Sequence, residues 1–360
     1  MKCCRGWISP VSEIRMPEFI VERDCTDRTA WDAYVNSNIA ATSYHRYAWR
    51  DVVENSFGHP CHYLAAMDCG GIVVGILPMV YMQSRLFGRF LVSLPFFNYG
   101  GLLCDNPDIG EGLLSEAAAL RKELGAEHVE LRHSDPWPAD LPTKQHKVCM
   151  VLELGMDAEA QWQGFNAKLR NQIRKAEKSG LTVAVGDKEL LPDFYTVFVR
   201  NMRDLGTPVY AQKLFAEVLT AFPVDSRIIA VYLEGKPLAA GLIVRFRETV
   251  EIPWASSIRD YNTLCPNNLL YWTALKHAME IGCKRFDFGR STPGEGTYRF
   301  KEQWGAKPLK LNWQYLLPNG VALPELNNKN PRFEMAIRLW QKLPLGVTRL
   351  LGPHIVKNIP

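Results

Sequence analysis

From residue 181 onward, hydrophobic positions switch between period two and period 3.6 in a regular order. LTVAV (181–185) alternates as a strand, while ELLPDFYTVFVRNM (189–202) and AQKLFAEVLTAF (211–222) carry apolar residues at helical spacing. SRIIAVYL (226–233), LAAGLIVRF (238–246) and TVEIPWAS (249–256) read as three strands joined by short polar turns, one of them Glu234-Gly235-Lys236. NNLLYWTALKHAMEIG (267–282) predicts a helix with Asn267 as N-cap and Gly282 at its C-terminal end. CKRFDF follows as a strand, TYRFKEQW as a short helix and PLKLNWQY (308–315) as a last strand.

The same order recurs upstream. FIVERD is a strand, TAWDAYVNS and RYAWRDVVENS are helices, and CHYLAAM, IVVGILPMVYM and FLVSLPF are strands. A helix over 108–124 then leads into the strand EHVELR. LRKELGAEHVELR (120–132) aligns with HAMEIGCKRFDFG (277–289), and YLAAMDCGGIVVGIL with AVYLEGKPLAAGLIV. Two matches in the same order favour duplication over chance. The strand CMVLEL (149–154) and the helix FNAKLRNQIRKAEKSG (165–180) join the repeats. The pattern predicts an α/β chain with a tail over 1–16, domains over 17–148 and 149–317, and a helical tail over 318–360.

Composition narrows the picture only slightly. Hydrophobic residues at 47% and charged residues at 22% are ordinary globular usage, and 360 residues suffice for two domains. No uninterrupted apolar run approaches the ~18 residues of a membrane span, and the N-terminus carries no apolar stretch of a signal peptide. Nine dispersed cysteines lead to the expectation of free thiols in a reducing cytoplasm. The net charge of +4 is concentrated in Arg332–Pro360, where five Lys or Arg residues face Glu334 alone. The rest is balanced, which argues against a general nucleic-acid coat. In the tail, Phe333, Ile337 and Trp340 share one helical stripe, Arg338 and Lys342 adjoin it, and Pro344 and Pro353 are the expected stops. Such helices cap the first domain's exposed apolar surface or lie in a membrane interface, and both readings stand.

Two segments carry the candidate chemistry. In 165–180, Leu169, Ile173 and Ala176 form a buried stripe, and Arg170, Arg174 and Lys178 align on another face with Lys168 and Lys175 beside them. Like charges at that spacing repel, so the row is either a solvated face or the binding surface of an anion. FDFGRSTPGEGTYRFKEQWGA (286–306) places Asp287 at a strand end, Gly289 where backbone can approach a ligand, and Arg290 and Ser291 in a polar loop. Tyr298, Arg299 and Lys301 then begin a short helix facing the same cleft, an arrangement a plain connector does not require. His59-Pro-Cys-His62 has no second ligand pair, so no metal site is expected. No G-x-S-x-G elbow occurs, Cys104 reads as a small buried residue, and Trp304 packs inward with Phe300.

R-x-x-I-R-K-A-x-K-x-G at 170–180, together with the 286–306 segment, resembles the FemAB family of peptidyl transferases. The similarity covers about residues 17–317 and is nearest the FemAB-like subgroup accompanying exosortase (PEP-CTERM) and exopolysaccharide systems. The resemblance implies tandem GNAT-like domains with mixed central sheets, and attack of an amine on an activated acyl group. In the characterised members that group is an aminoacyl ester on tRNA. By the same resemblance, Lys301 matches a lysine near the acceptor that stabilises developing negative charge. NYGGLLCD (98–105) resembles the family's Y/R-G-P-x-x-D segment, placing Tyr99 with the substrate and Asp105 where a carboxylate contacts the amine; Gly101 stands where the family has proline. Arg170, Arg174 and Lys175 fall on the basic motif helix, and Asp287, Arg290, Ser291, Tyr298 and Arg299 join the binding set. The helical hairpin that some members insert for tRNA is missing, as it is in a shorter type of the family.

The implied activity is acyl or aminoacyl transfer to an amino group of a cell-envelope or exopolysaccharide precursor. The donor is either aminoacyl-tRNA or acyl-CoA, and no cofactor or metal is firmly implied. A CoA-dependent acetyltransferase is weakened because SSIRDYNTLCPNNLLYW lacks the glycines of R/Q-x-x-G-x-G/A, although Asn267, Asn268 and a helix dipole can hold an anion. A non-catalytic module binding RNA or a nucleotide-sugar through 168–178 is the reading from another class. The expected location is the cytoplasm, with peripheral contact to the inner membrane through 332–360.

Overall fold

A computed structural model describes residues 19–84, 87–137, 140–323 and 331–359. The expected tail over 1–16 lies outside them. The first repeat runs β1 (Phe19–Glu22), α1 (Arg28–Ser37), α2 (Ala48–Phe57), β2 (Cys61–Asp68), β3 (Val73–Ser84), β4 (Gly88–Val92), β5 (Leu103–Cys104), α3 (Pro107–Glu123), β6 (His128–His133) and β7 (Thr143–Lys144). The second runs β8 (Val148–Glu153), α4 (Ala158–Gly164), α5 (Ala167–Lys178), β9 (Leu181–Gly186), α6 (Leu191–Leu205), α7 (Gln212–Ala221), β10 (Ser226–Leu233), β11 (Lys236–Phe246), β12 (Thr249–Ser257), α8 (Pro266–Glu280), β13 (Arg285–Ser291), α9 (Gly296–Glu302) and β14 (Lys307–Lys310). β15 (Asn312–Leu316), α10 (Pro331–Lys342) and α11 (Leu345–Val356) close the chain.

The pairing repeats as the sequence order does. β1 to β4 and β9 to β12 are antiparallel ladders, and each is followed by one parallel neighbour, β6 beside β4 and β13 beside β12. Both sheets are therefore mixed. A parallel step requires a crossover, which α3 supplies in one half and α8 in the other. Local signals start α3 and α5: Asn106 accepts from the Ile109 N–H at 3.1 Å with Pro107 at the first turn of α3, and Asn166 accepts from the Leu169 N–H at 2.9 Å at the start of α5.

The end of the chain departs from expectation. The strand foreseen over 308–315 is two strands in different sheets: β14 pairs with β8, and β15 pairs with β6 of the first half. β8, expected as a connector, lies between β13 and β14. Asn267 is not an N-cap; α8 starts at Pro266 after Cys265 at φ 58°. Pro353 does not stop α11, which continues to Val356.

Crossed strands and a shared core hold the halves together. Trp49 packs on Phe222 with ring centroids 4.8 Å apart, and Phe97 meets Trp254 at 6.0 Å. Fully buried aromatics of this size, contributed by both halves, fix the relative position of the two sheets.

Candidate active site between the halves

β12 and β13 stay paired for only three register positions, Thr249–Arg285, Val250–Phe286 and Glu251–Asp287. Beyond them the strands part. Gly289 at φ 73° carries the bulge between Asp287 and Arg290 that turns β13 toward β8. A side chain there would strain the backbone, whereas the space beside its Cα is open, with the Ile252 carbonyl 3.6 Å from an added Cβ. The gap is a cavity of about 300 Å³, lined by Ile252, Trp254, Gly289, Arg290, Thr297 and Lys301, with Tyr44 and Asn98 from the first half.

Two carboxylates stand at the last paired position before the strands part. Glu251 and Asp287 are both buried, at 6% and 5% exposure, and the first half supplies their partners. Tyr44 Oη donates to Glu251 at 2.6 Å and Asn98 Nδ2 at 3.2 Å; Tyr99 Oη donates to Asp287 at 3.0 Å, and the Gly289 N–H at 2.7 Å. Burial pushes Glu251 well above the ordinary carboxylate range, with the negative charge of Asp287 adding to it. Burial also raises Asp287, while its bonds from Gly289 and Tyr99 and the nearby Lys301 act the other way. Two such groups side by side favour holding one proton between them.

Lys301 completes the cluster from α9. Its Nζ donates to the Gly289 and Arg290 carbonyls, each at 2.9 Å, and the residue is 7% exposed. An ammonium has three donors, so one is left for the cavity that Lys301 lines. Burial lowers its pKa to about 8, with Asp287, Cys149 and Glu251 opposing the fall. A second cavity of about 580 Å³ is lined by Tyr99, Glu251, Asp287, Arg247 and Arg285 among others. Both carboxylates line this second cavity, while their donors Tyr44, Asn98 and Gly289 line the first together with Lys301.

The other sequence candidates are distributed unevenly. Arg290 lines the first cavity and lies over Trp313 at 5.3 Å. Ser291 is buried with an unpartnered Oγ, Tyr298 is half-buried against the second core, and Arg299 is exposed. Arg170, Arg174 and Lys175 line neither cavity; Arg174 lies over Trp162 at 5.3 Å, and α5 packs beside the start of α8, where Asn268 Nδ2 meets Gln172 at 3.3 Å. Leu169, Ile173 and Ala176 form the buried stripe of α5. Asp105 is not brought to the cluster: it is exposed and accepts from Tyr34 Oη at 2.9 Å. A Cβ at Gly101 would stand 2.1 Å from His133, which is why no proline fits there. His59 bonds the Lys357 carbonyl and His62 meets Asp24, and the described residues contain no cluster of three metal-ligating side chains. Trp304 is buried.

Sequence reasoning missed Glu251, Tyr44 and Asn98. The one available signal was an acid between Val250 and Ile252 in an otherwise apolar strand, and its partner becomes visible only with the β12–β13 register.

Residues 163–302 match the family model described as an acetyltransferase (GNAT) domain. The crystal structure of FemX superposes with a TM-score of 0.65 at 15% identity, covering 82% of this chain and 97% of that one. The C-terminal domain of a protein assigned as lysylphosphatidylglycerol synthetase from Agrobacterium fabrum gives 0.54 at 13% identity, over 87% and 93%. A tandem GNAT protein from the clavulanic acid biosynthesis pathway gives 0.54 at 11% identity, over 85% and 100%. No curated protein matches the sequence. The fold is a tandem GNAT fold with two mixed sheets, and the parted strands belong to the matched half.

Proposed function

We propose that the protein is an acyl- or aminoacyltransferase that forms an amide on an amino group of a cell-envelope or exopolysaccharide precursor. The observation that carries this reading is the Glu251–Asp287 pair at the point where β12 and β13 part, with Lys301 beside it. The acyl group of the donor enters the first cavity, and the amine reaches the carboxylates from the second. The protonated acceptor gives one proton to the Glu251–Asp287 pair. Its nitrogen then attacks the acyl carbon, forming the C–N bond. The oxyanion that develops faces the free donor of Lys301, and collapse breaks the bond to the ester oxygen or thioester sulfur. The leaving group takes the amine's second proton.

What supports an envelope acceptor is the FemAB-like motifs at 170–180 and 286–306, with the fold likeness to FemX and to the domain assigned as a lysylphosphatidylglycerol synthetase. The match to an acetyltransferase family favours a second reading, CoA-dependent N-acetylation in the same cavity. Incubating the full chain with either acetyl-CoA or a mixed aminoacyl-tRNA pool, against a panel of amino-sugar nucleotides and amine-bearing envelope precursors, separates the two. A mass increase of an aminoacyl residue on an envelope acceptor supports the first reading; transfer from acetyl-CoA alone replaces it with the second. Transfer from neither donor to any acceptor removes both.

A further inference from the structure

Nine of the nineteen large apolar side chains exposed among the described residues lie between 335 and 359. α11 is nevertheless well seated, and α10 rests more lightly beside it. On α11, Thr348, Gly352 and Val356 are buried, Gly352 lies against Val209, and Arg349 stacks over Tyr195 at 5.3 Å. The Lys357 carbonyl bonds His59 Nε2 at 2.6 Å, so α11 touches both repeats. On α10, Ile337 packs at Gly206, and Gln341 Nε2 donates to the Asp204 carbonyl at 3.1 Å. The inner face of the pair caps α6 of the second repeat, not the first domain where a cap was expected, because Val209, Tyr195 and Gly206 supply the surface it meets.

The outer face is unaccounted for by that role. On α10, Met335 and Leu339 stand one turn apart at 61% and 62% exposure, with Arg338 and Lys342 beside them. On α11, Leu350 at 69% and Leu351 at 44% face away from the buried stripe. From 334 to 359 the chain carries four Lys or Arg residues and one acid, Glu334.

We propose that this outer face docks on the surface of an anionic lipid bilayer. Each helix is 12 residues long, about 18 Å at 1.5 Å per residue, well short of the ~30 Å hydrocarbon core. The pair therefore lies along the interface and does not cross it, with apolar side chains sunk among the acyl chains and cations at the headgroups. A second copy of the chain is a poorer occupant. A two-fold interface would set Arg338 and Lys342 against their own equivalents, with Glu334 as the one acid to answer them. The inference is independent of the chemistry proposed between the repeats.

The test is co-sedimentation of the full chain with vesicles of phosphatidylcholine alone, or of two parts phosphatidylcholine and one part phosphatidylglycerol, at low and high salt. Binding is expected on the anionic vesicles at low salt and should weaken as salt screens it. The pair Leu339→Ser, Leu350→Ser and the pair Arg338→Gln, Lys342→Gln should each lower apparent affinity about tenfold, with the melting temperature unchanged. Equal binding to both vesicle types, or no binding by the full chain, overturns the proposal. So does unchanged affinity in the charge variant. A concentration-dependent dimer abolished by the same substitutions would assign the face to a second copy instead.

Discussion

Glu251 and Asp287 are the last register partners on β12 and β13 before the strands separate, and both are buried. Their pKa values are raised by burial, so the folded chain holds a proton that the unfolded chain has released. Stability from such a group is fully present at acid pH and is lost as pH rises through the folded value. Glu251→Gln keeps an acceptor for Tyr44 and removes the charge. The variant should melt about 2 °C higher than the wild type at pH 8, with the gain shrinking toward pH 4, while turnover falls at least about tenfold. Thermal melts across that range check the first part; a gain of equal size at both ends would show that ionisation is not its source.

Lys301 sets the opposite limb of the pH profile. If its charged form meets the oxyanion, turnover falls as the ammonium loses its proton, with a midpoint near the pKa of about 8. Lys301→Arg keeps the charge at all accessible pH, so the alkaline limb should disappear even where the maximum rate drops. Lys301→Ala should lower turnover tenfold or more, in the range of about 2.7–4 kcal/mol that such a donor supplies. The same lowered pKa makes the fold gain stability as pH climbs from about 8 toward the ordinary lysine value of 10.5, because the unfolded chain then binds the proton and the folded chain does not. A rate flat from pH 7 to 10 in the wild type would remove Lys301 from oxyanion stabilisation.

Asp105 gives the sharpest contrast between resemblance and geometry. The family motif puts a carboxylate on the acceptor amine at this position, yet Asp105 is exposed and held by Tyr34. Asp105→Asn should leave kcat and acceptor KM within about twofold of wild type, since asparagine keeps an acceptor for Tyr34 Oη and the position is exposed. A fall of a hundredfold in kcat/KM would return Asp105 to the chemistry and bring the acceptor in past α1.

What could be read from sequence follows physical range. The duplicated order of strands and helices was legible because periodicity is local, and Leu169, Ile173 and Ala176 are buried as their spacing requires. Lys301 and Asp287 stood out because an apolar strand ran into a loop with glycines and cations. Glu251 did not, since an acid in a strand acquires meaning only from what lies across the ladder, and its donors Tyr44 and Asn98 come from more than 150 residues away in sequence. The exchange of β15 into the first sheet was invisible for the same reason: a run of alternating residues carries no mark of which edge it will join.

The cations of α5 remain the open choice between a solvated face and an anion site, and their placement favours the second. Arg170, Arg174 and Lys175 line neither cavity, so they are not positioned to touch the reacting groups. The helix nevertheless lies against α8, and the Gln172–Asn268 bond ties it to the first turn of that helix, where the positive end of the dipole favours an anion. Phosphates of a CoA or tRNA donor reaching the first cavity past that turn would meet both sources of positive potential. Arg170→Gln with Arg174→Gln should then raise the donor KM at least about fivefold, leave kcat within about twofold, and flatten the dependence of KM on salt. Relief of like-charge repulsion along the helix should add a few tenths of a kcal/mol to stability, detectable as a small rise in melting temperature. The measurement is donor titration at two ionic strengths beside a thermal melt. A higher melting temperature with donor KM unchanged at both salts would leave α5 as a solvated face.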